Sequence, residues 1–207
     1  MDMFGVADYG AFVVAVIVFL AIPGPGNLVL LTATGKGGVK GGLAATGGLI
    51  AGDQVLMWLA VAGVATLLGT SPHVFFAVQW LGAAYLAWMG WRMIIAKPGD
   101  APVLKIRSGQ YFRQALLITL LNPKAIVFYM AFFPLFVDPA RHQGLATFAF
   151  MAATVAGLTL LYCALAITLA RVLAERLRAN PRVLRWLNRV AGMMLLGFGL
   201  RLALASR

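Results

Sequence analysis

Cysteine occurs once and histidine twice among the 207 residues. Cys163 lies inside an apolar run, so it supports no disulfide framework and reads as an inert buried thiol. His73 and His142 stand at the edges of apolar runs with no carboxylate or cysteine at ligand spacing, which argues against a metal site. Around Gly35-Lys36 a phosphate-binding loop is missing its parts, because Leu30 holds the place of the first glycine and Gly37 that of the hydroxyl. ATP hydrolysis in this chain is thereby excluded, and no cofactor is called for. No nucleophile with a neighbouring base is legible, so the chain is not read as an enzyme.

Charge is scarcer still. Only 11% of the residues are charged against 62% hydrophobic, and the mean hydropathy is +0.90. A soluble domain carries about a quarter charged residues, so this composition belongs to an integral membrane protein. The 17 basic and 6 acidic residues give a net charge of +11. In a soluble protein that excess suggests nucleic acid, but here the basic residues lie between apolar runs and have a topological explanation. The lipid bilayer is the partner, and nucleic acid is not. Asp2 and Asp8 precede the first apolar segment without a basic n-region or a small-residue cleavage site, so that segment is expected to stay uncleaved.

Six stretches are long enough to span about 30 Å at 1.5 Å per residue. They are Tyr9–Leu31, Gly41–Leu68, His73–Ile95, Phe112–Val137, Gly144–Ala170 and Trp186–Leu204. Ser71-Pro72, Asp138-Pro139 and Asn180-Pro181 supply helix-start signals between them. Thirteen basic residues fall on one side: Lys36 and Lys40; Arg92, Lys97, Lys105, Arg107 and Arg113; Arg171, Arg176, Arg178, Arg182, Arg185 and Arg189. Arg141, Arg201 and Arg207 fall on the other, and Lys124 lies within a span. Basic loops stay cytoplasmic, which predicts both termini outside. The stretch between the fifth and sixth spans, with Val172, Leu173 and Leu177 among its arginines, fits an interfacial helix on anionic lipid as well as a solvated loop.

The first span is interrupted by Pro23-Gly24-Pro25-Gly26-Asn27. Proline lacks an N–H and clashes with the preceding turn, and glycine is permissive, so the helix is expected to break there. In hydrocarbon the freed backbone groups each cost several kcal/mol, so such a break belongs in a protein interior or along a polar path. A counterpart follows one hundred residues on: Ala21-Ile22-Pro23 matches Leu121-Asn122-Pro123 in the fourth span. Gly42-Leu43-Ala44 likewise matches Gly144-Leu145-Ala146. The chain thus reads as one all-α polytopic membrane domain, 1–207, with repeats at about 9–95 and 112–204 and a cytoplasmic loop at about 96–111. Three helices per half is an odd number, so the repeats have inverted topology, with helices 1 and 4 interrupted and a transport site between them.

Asp53 and Lys124 are the ionisable residues hardest to place in lipid. Asp53 is about 20 Å from Lys40, Lys124 about 16 Å from Arg113, and Asn27 about 13 Å from Lys36 at helical rise, so all three converge on one layer. Charges at that depth face the bundle interior and mark function by default. One reading is a salt bridge that only joins the halves. The other makes Asp53 the proton-coupling residue, while Lys124 and free amides near Pro23–Asn27 or Pro123 hold a substrate carboxylate. An acid that is neutral in the membrane and ionised at either face is what a proton carrier needs. Asn27 and Asn122 are placed to cap freed backbone groups or to bind ligand. Gly41, Ala45, Gly48 and Gly52 form a small-residue stripe for close helix packing, within a protomer or between two, so the oligomeric state, a homodimer included, stays open.

Together these motifs resemble a known family. Pro23–Asn27, the run Gly35-Lys36-Gly37-Gly38-Val39-Lys40-Gly41-Gly42-Leu43, and Gly48-x3-Gly52-Asp53 are similar to the first half of the LysE/RhtB amino-acid exporters. Leu121-Asn122-Pro123-Lys124-Ala125-Ile126-Val127-Phe128-Tyr129 with Phe132-Phe133-Pro134-Leu135-Phe136 is similar to the family's fourth-helix signature. The stretch Gly52–Leu67 looks closest to the leucine exporter branch. That branch commonly reads Pro-Gly-Pro-Asn, so the asparagine here stands one place later, about 100° around a helix. The resemblance implies secondary export of amino acids, driven by the proton gradient, across the bacterial inner membrane. Substrates in the family include lysine, threonine, homoserine, homoserine lactone and leucine. A second intramembrane acid is lacking, which argues against a dibasic substrate, and a neutral amino acid is expected. A passive facilitator, with the breaks lining a pore, and a non-transporting scaffold are the alternatives.

Overall fold

The computed structural model describes residues 5–22, 24–70, 80–81, 83–84, 87–88, 91–92, 94–95, 106–132, 136–137, 143–179, 186, 189–190, 192–193, 196–197 and 200. Pro23, His73, His142 and the pairs Ser71-Pro72, Asp138-Pro139 and Asn180-Pro181 lie outside them. Of the third and sixth expected spans only scattered helical positions are described.

The first span divides where its prolines and glycines require. Helix α1, Tyr9–Ala21, starts on Asp8, whose carboxylate accepts from the Ala11 N–H at 3.0 Å, and ends at Ile22 in extended backbone. Helix α2, Pro25–Thr70, begins with a proline, which suits a first turn where no N–H is needed. It is two helices joined at Gly38, whose φ of 61° and ψ of −155° lie outside the helical region. Only glycine takes such a conformation without strain. The arms, 25–37 and 39–70, pack on each other near this turn. A Cβ on Gly41 would meet the Ala33 carbonyl, and one on Gly42 would lie 2.6 Å from Thr34 Oγ1. The expected loop between Leu31 and Gly41 is thus a single sharp turn at Gly38.

The fourth span is broken as well. Helix α3, Tyr111–Leu120, stops at Leu121, and Asn122 caps α4, Pro123–Val127. A π-helical turn, Phe128–Phe132, follows. Such turns often mark functional sites, and nothing in the sequence announced this one. Helix α5, Leu145–Ala179, runs nine residues past the expected end at Ala170 and takes in Arg171, Arg176 and Arg178. The basic stretch therefore begins as a continuation of the fifth span.

Two apolar cores stack along the bundle. One joins Phe12, Val16 and Phe19 of α1 to Leu56, Met57 and Ala60 of α2, Ala125 of α4, and Met151 and Val155 of α5. The other joins Val29, Leu30 and Ala33 to Leu49, Ala115, Cys163 and Ile167. Around the first core, the Ala7 N–H donates to the Phe136 carbonyl at 2.9 Å beside a bridge between Val6 and Val137. Beyond the second, Lys36 Nζ donates to the Ile106 carbonyl at 2.9 Å, and the Tyr111 ring covers Gly37 and Gly41.

Among the described residues, Leu145–Ala170 is a helix long and apolar enough to cross a membrane by length and composition, and Pro25–Gly63, though it turns at Gly38, passes the same measure. Large apolar side chains such as Val14, Leu43, Leu59, Leu161 and Leu165 stand exposed along these helices and α1. A lipid-facing surface accounts for them, since water-soluble monomers rarely expose large contiguous apolar patches.

Candidate functional site

Between the two cores lies a layer of polar groups. In chain order, Phe19 belongs to the first core and Val29 to the second, with the helix break and Asn27 between them. Leu49 and Leu56 flank Asp53 in the same way, and Val155 and Cys163 flank Thr159. In the fourth span Thr119, Asn122 and Lys124 lie between Ala115 and Ala125. These polar residues form one layer between the two cores.

The break in the first span is held from two sides. In an unbroken helix the N–H of residue 23 would serve the Phe19 carbonyl, but proline has none to give. Lys124 supplies the donor, its Nζ lying 3.0 Å from the Phe19 carbonyl and 3.0 Å from that of Ile22. The ammonium also stands 4.5 Å from the centroid of the Phe19 ring, a cation–π contact. That ring stacks on Phe128 at 4.2 Å and meets Tyr129 edge-on at 6.0 Å. Asn27 completes the cradle through Nδ2, which donates to the Leu20 and Ile22 carbonyls at 3.0 Å each. A Cβ on Gly24 would sit 3.5 Å from Lys124 Nζ, an ordinary contact distance, so space for a methyl group lies beside the ammonium.

Across the layer, Asn122 Oδ1 accepts from the Lys124 backbone N–H at 3.1 Å, the capping bond that starts α4. Asp53 is 5% exposed and Lys124 8%. The groups acting on the Asp53 carboxyl include the Tyr129 hydroxyl and the Lys124 ammonium, both from the fourth span. Among the described residues no direct ion pair joins Lys124 to Asp53; the ammonium is turned to the backbone of the first span. A salt bridge whose only role is to join the halves is not what this geometry contains.

The small-residue stripe packs within the chain. A Cβ on Gly48 would collide with the Phe112 carbonyl, and one on Gly52 would lie 2.6 Å from the Thr119 Cβ. Gly41 and the fully buried Ala45 extend this face towards the Gly38 turn. It therefore presses α2 onto α3 and sets Asp53 beside the fourth span. Gly26 faces Leu49, 3.5 Å from its Cδ2, and Pro25 opens α2. The structure thus brings together Gly24, Asn27, Asn122 and Lys124, with Asp53 across from them.

Four residues of the layer were not singled out by sequence reasoning. Phe19 was discoverable, because it stands four residues before Pro23. Tyr129 is within the fourth-helix signature but looks like any core aromatic. The Thr119 and Thr159 hydroxyls are buried with no hydrogen-bond partner among the described residues. A threonine in an apolar helix usually bonds its own backbone, and no sequence signal says which ones do not.

The sequence profile of the LysE type translocators matches residues 17–206. A leucine efflux protein of Salmonella typhimurium is 36% identical over 205 residues, covering 97% of this chain and 96% of its own. One from Enterobacter sp. is 37% identical, covering 97% of each chain, and one from Klebsiella pneumoniae is 34% identical, covering 97% and 96%. No solved structure matches the chain.

Proposed function

The chain belongs to the LysE type translocator family, and from that membership we propose that it exports neutral amino acids, leucine first among them, by proton antiport. Translocators of this family are transporters and not enzymes, and an amino-acid exporter of this kind is a multi-pass protein of the bacterial inner membrane. Leucine is taken from relatives that share more than a third of their residues with this chain over nearly its whole length.

The observation that carries the site is Lys124, a buried cation of the fourth span donating to backbone freed in the first. In this reading Lys124 and amides freed near Pro23–Asn27 or Pro123 receive the substrate carboxylate. The Thr119 and Thr159 hydroxyls, without a hydrogen-bond partner among the described residues, offer further hydrogen bonds in the same layer. Asp53 is the proton carrier. It takes a proton from outside, is neutral while the protein reorients, and releases the proton inside; an uncharged side chain crosses the low-dielectric layer far more cheaply than a carboxylate.

The layout proposed is six helices in two inverted repeats, 9–95 and 112–204, joined by a cytoplasmic loop at 96–111, with both termini outside. Two features support it. The two breaks face each other in one layer. The N-terminal segment meets residues 136–137, whereas the Gly38 turn meets residues 106–111.

The test of substrate is efflux of labelled leucine, threonine and lysine from proteoliposomes. Faster release of leucine than of the other two is expected. Equal release of all three, or preference for lysine, would contradict the assignment.

A further inference from the structure

The Phe19 and Ile22 carbonyls lie inside the bundle, and the group they hold is a primary ammonium. Two of the three N–H donors of Lys124 go to them, and the Phe19 ring faces the charge. A buried ammonium costs several kcal/mol unless such partners surround it, so the cradle is built for this chemistry. A zwitterionic amino acid carries the same group on its α-carbon.

We propose that the Phe19–Ile22 carbonyl pair is a binding site for primary ammonium groups, filled by Lys124 in the resting transporter and taken over by the substrate's α-ammonium during export. This rests on the reading above that the chain transports amino acids. Lys124 ends a flexible four-carbon stem, and the absent side chain of Gly24 leaves space beside its Nζ. Displaced from the carbonyls, the ammonium is free to meet the substrate carboxylate. A zwitterion alone makes this exchange without changing the charge of the site, because its cation replaces Lys124 and its anion pairs with Lys124. The site thereby selects free amino acids over amines and over N-acylated acids.

The carbonyl site is testable without any transport assay. Lys124→Ala removes the tethered cation, and ethylammonium then supplies a free one. Full-length Lys124→Ala in lipid nanodiscs is melted with and without ethylammonium chloride, alongside the wild type and Lys124→Met, whose chain still fills the space. Ethylammonium at about tenfold over its dissociation constant is expected to raise the melting temperature of Lys124→Ala by about 3–6 °C. The wild type and Lys124→Met are expected not to respond. Tetramethylammonium, with the same charge but no N–H, is expected to have no effect on any of them. Equal shifts in all three proteins, an equal effect of tetramethylammonium, or no shift in Lys124→Ala would overturn the proposal. Lys124→Ser, whose hydroxyl can bond its own helix, is the second host if the alanine variant does not fold. Since no leucine is added, a wrong substrate assignment leaves this result untouched.

Discussion

At the scale of residues, three carbonyls at the first break, those of Phe19, Leu20 and Ile22, have side-chain donors. Asn27→Ala leaves the Leu20 carbonyl without its side-chain donor, while Ile22 keeps Lys124. A buried acceptor stripped of its partner costs about 1–3 kcal/mol, so a lower melting temperature in nanodiscs is expected. Asn27→Asp is expected to fare no better, because a carboxylate offers acceptors where these carbonyls need donors. An unchanged melting temperature in both variants would show that the asparagine does not hold the break. Asp53→Asn keeps the shape of the side chain but cannot carry a proton. It is expected to retain leucine exchange and lose the acceleration by a pH gradient, as read by flux in proteoliposomes. Much of this was legible in the sequence, because proline, a lone intramembrane acid and a lone intramembrane lysine are each informative in lipid. The direction of Lys124 was not. Depth can be counted along a helix, but whether an ammonium turns to a carboxylate or to a carbonyl depends on packing across elements.

At the scale of elements, α2 is set against α3 by glycine. Gly48→Val would drive a branched side chain into the Phe112 carbonyl, and Gly52→Val into Thr119. Overpacking of this kind costs about 1–3 kcal/mol, and since the backbone of α3 cannot yield as a flexible side chain would, both variants are expected to melt lower and export less. Gly35→Ala is the control. Nothing lies within 4 Å of a Cβ there, so alanine is expected to be neutral or to stabilise by up to about 1 kcal/mol through helix propensity. Equal melting temperatures for Gly48→Val and Gly35→Ala would contradict the packing account. The glycine steps of four and three residues revealed this face, though not its partner. Both helix breaks were legible because Pro23, Pro25 and Pro123 act locally. The π-helical turn at Phe128–Phe132 was not, since no residue pattern in that apolar stretch sets it apart from ordinary helix.

At the scale of the whole molecule, the two ends of the bundle are closed by different contacts. Val6 and Ala7 meet Phe136 and Val137 at one end, and Lys36 meets Ile106 at the other. With the basic loops inside, Ala7→Cys is expected to react with an impermeant maleimide in intact cells, and Ser108→Cys only in inside-out vesicles. The reverse pattern would invert the proposed orientation. In the proposed cycle, protons moving one way drive leucine the other through the layer holding Asp53 and Lys124. The direct measurement starts with labelled leucine equal on both sides of a proteoliposome membrane and then imposes a pH gradient. Net accumulation of leucine on the acidic side, abolished in Asp53→Asn, is the predicted result; leucine that stays equal on both sides, or accumulates just as well in Asp53→Asn, would contradict it.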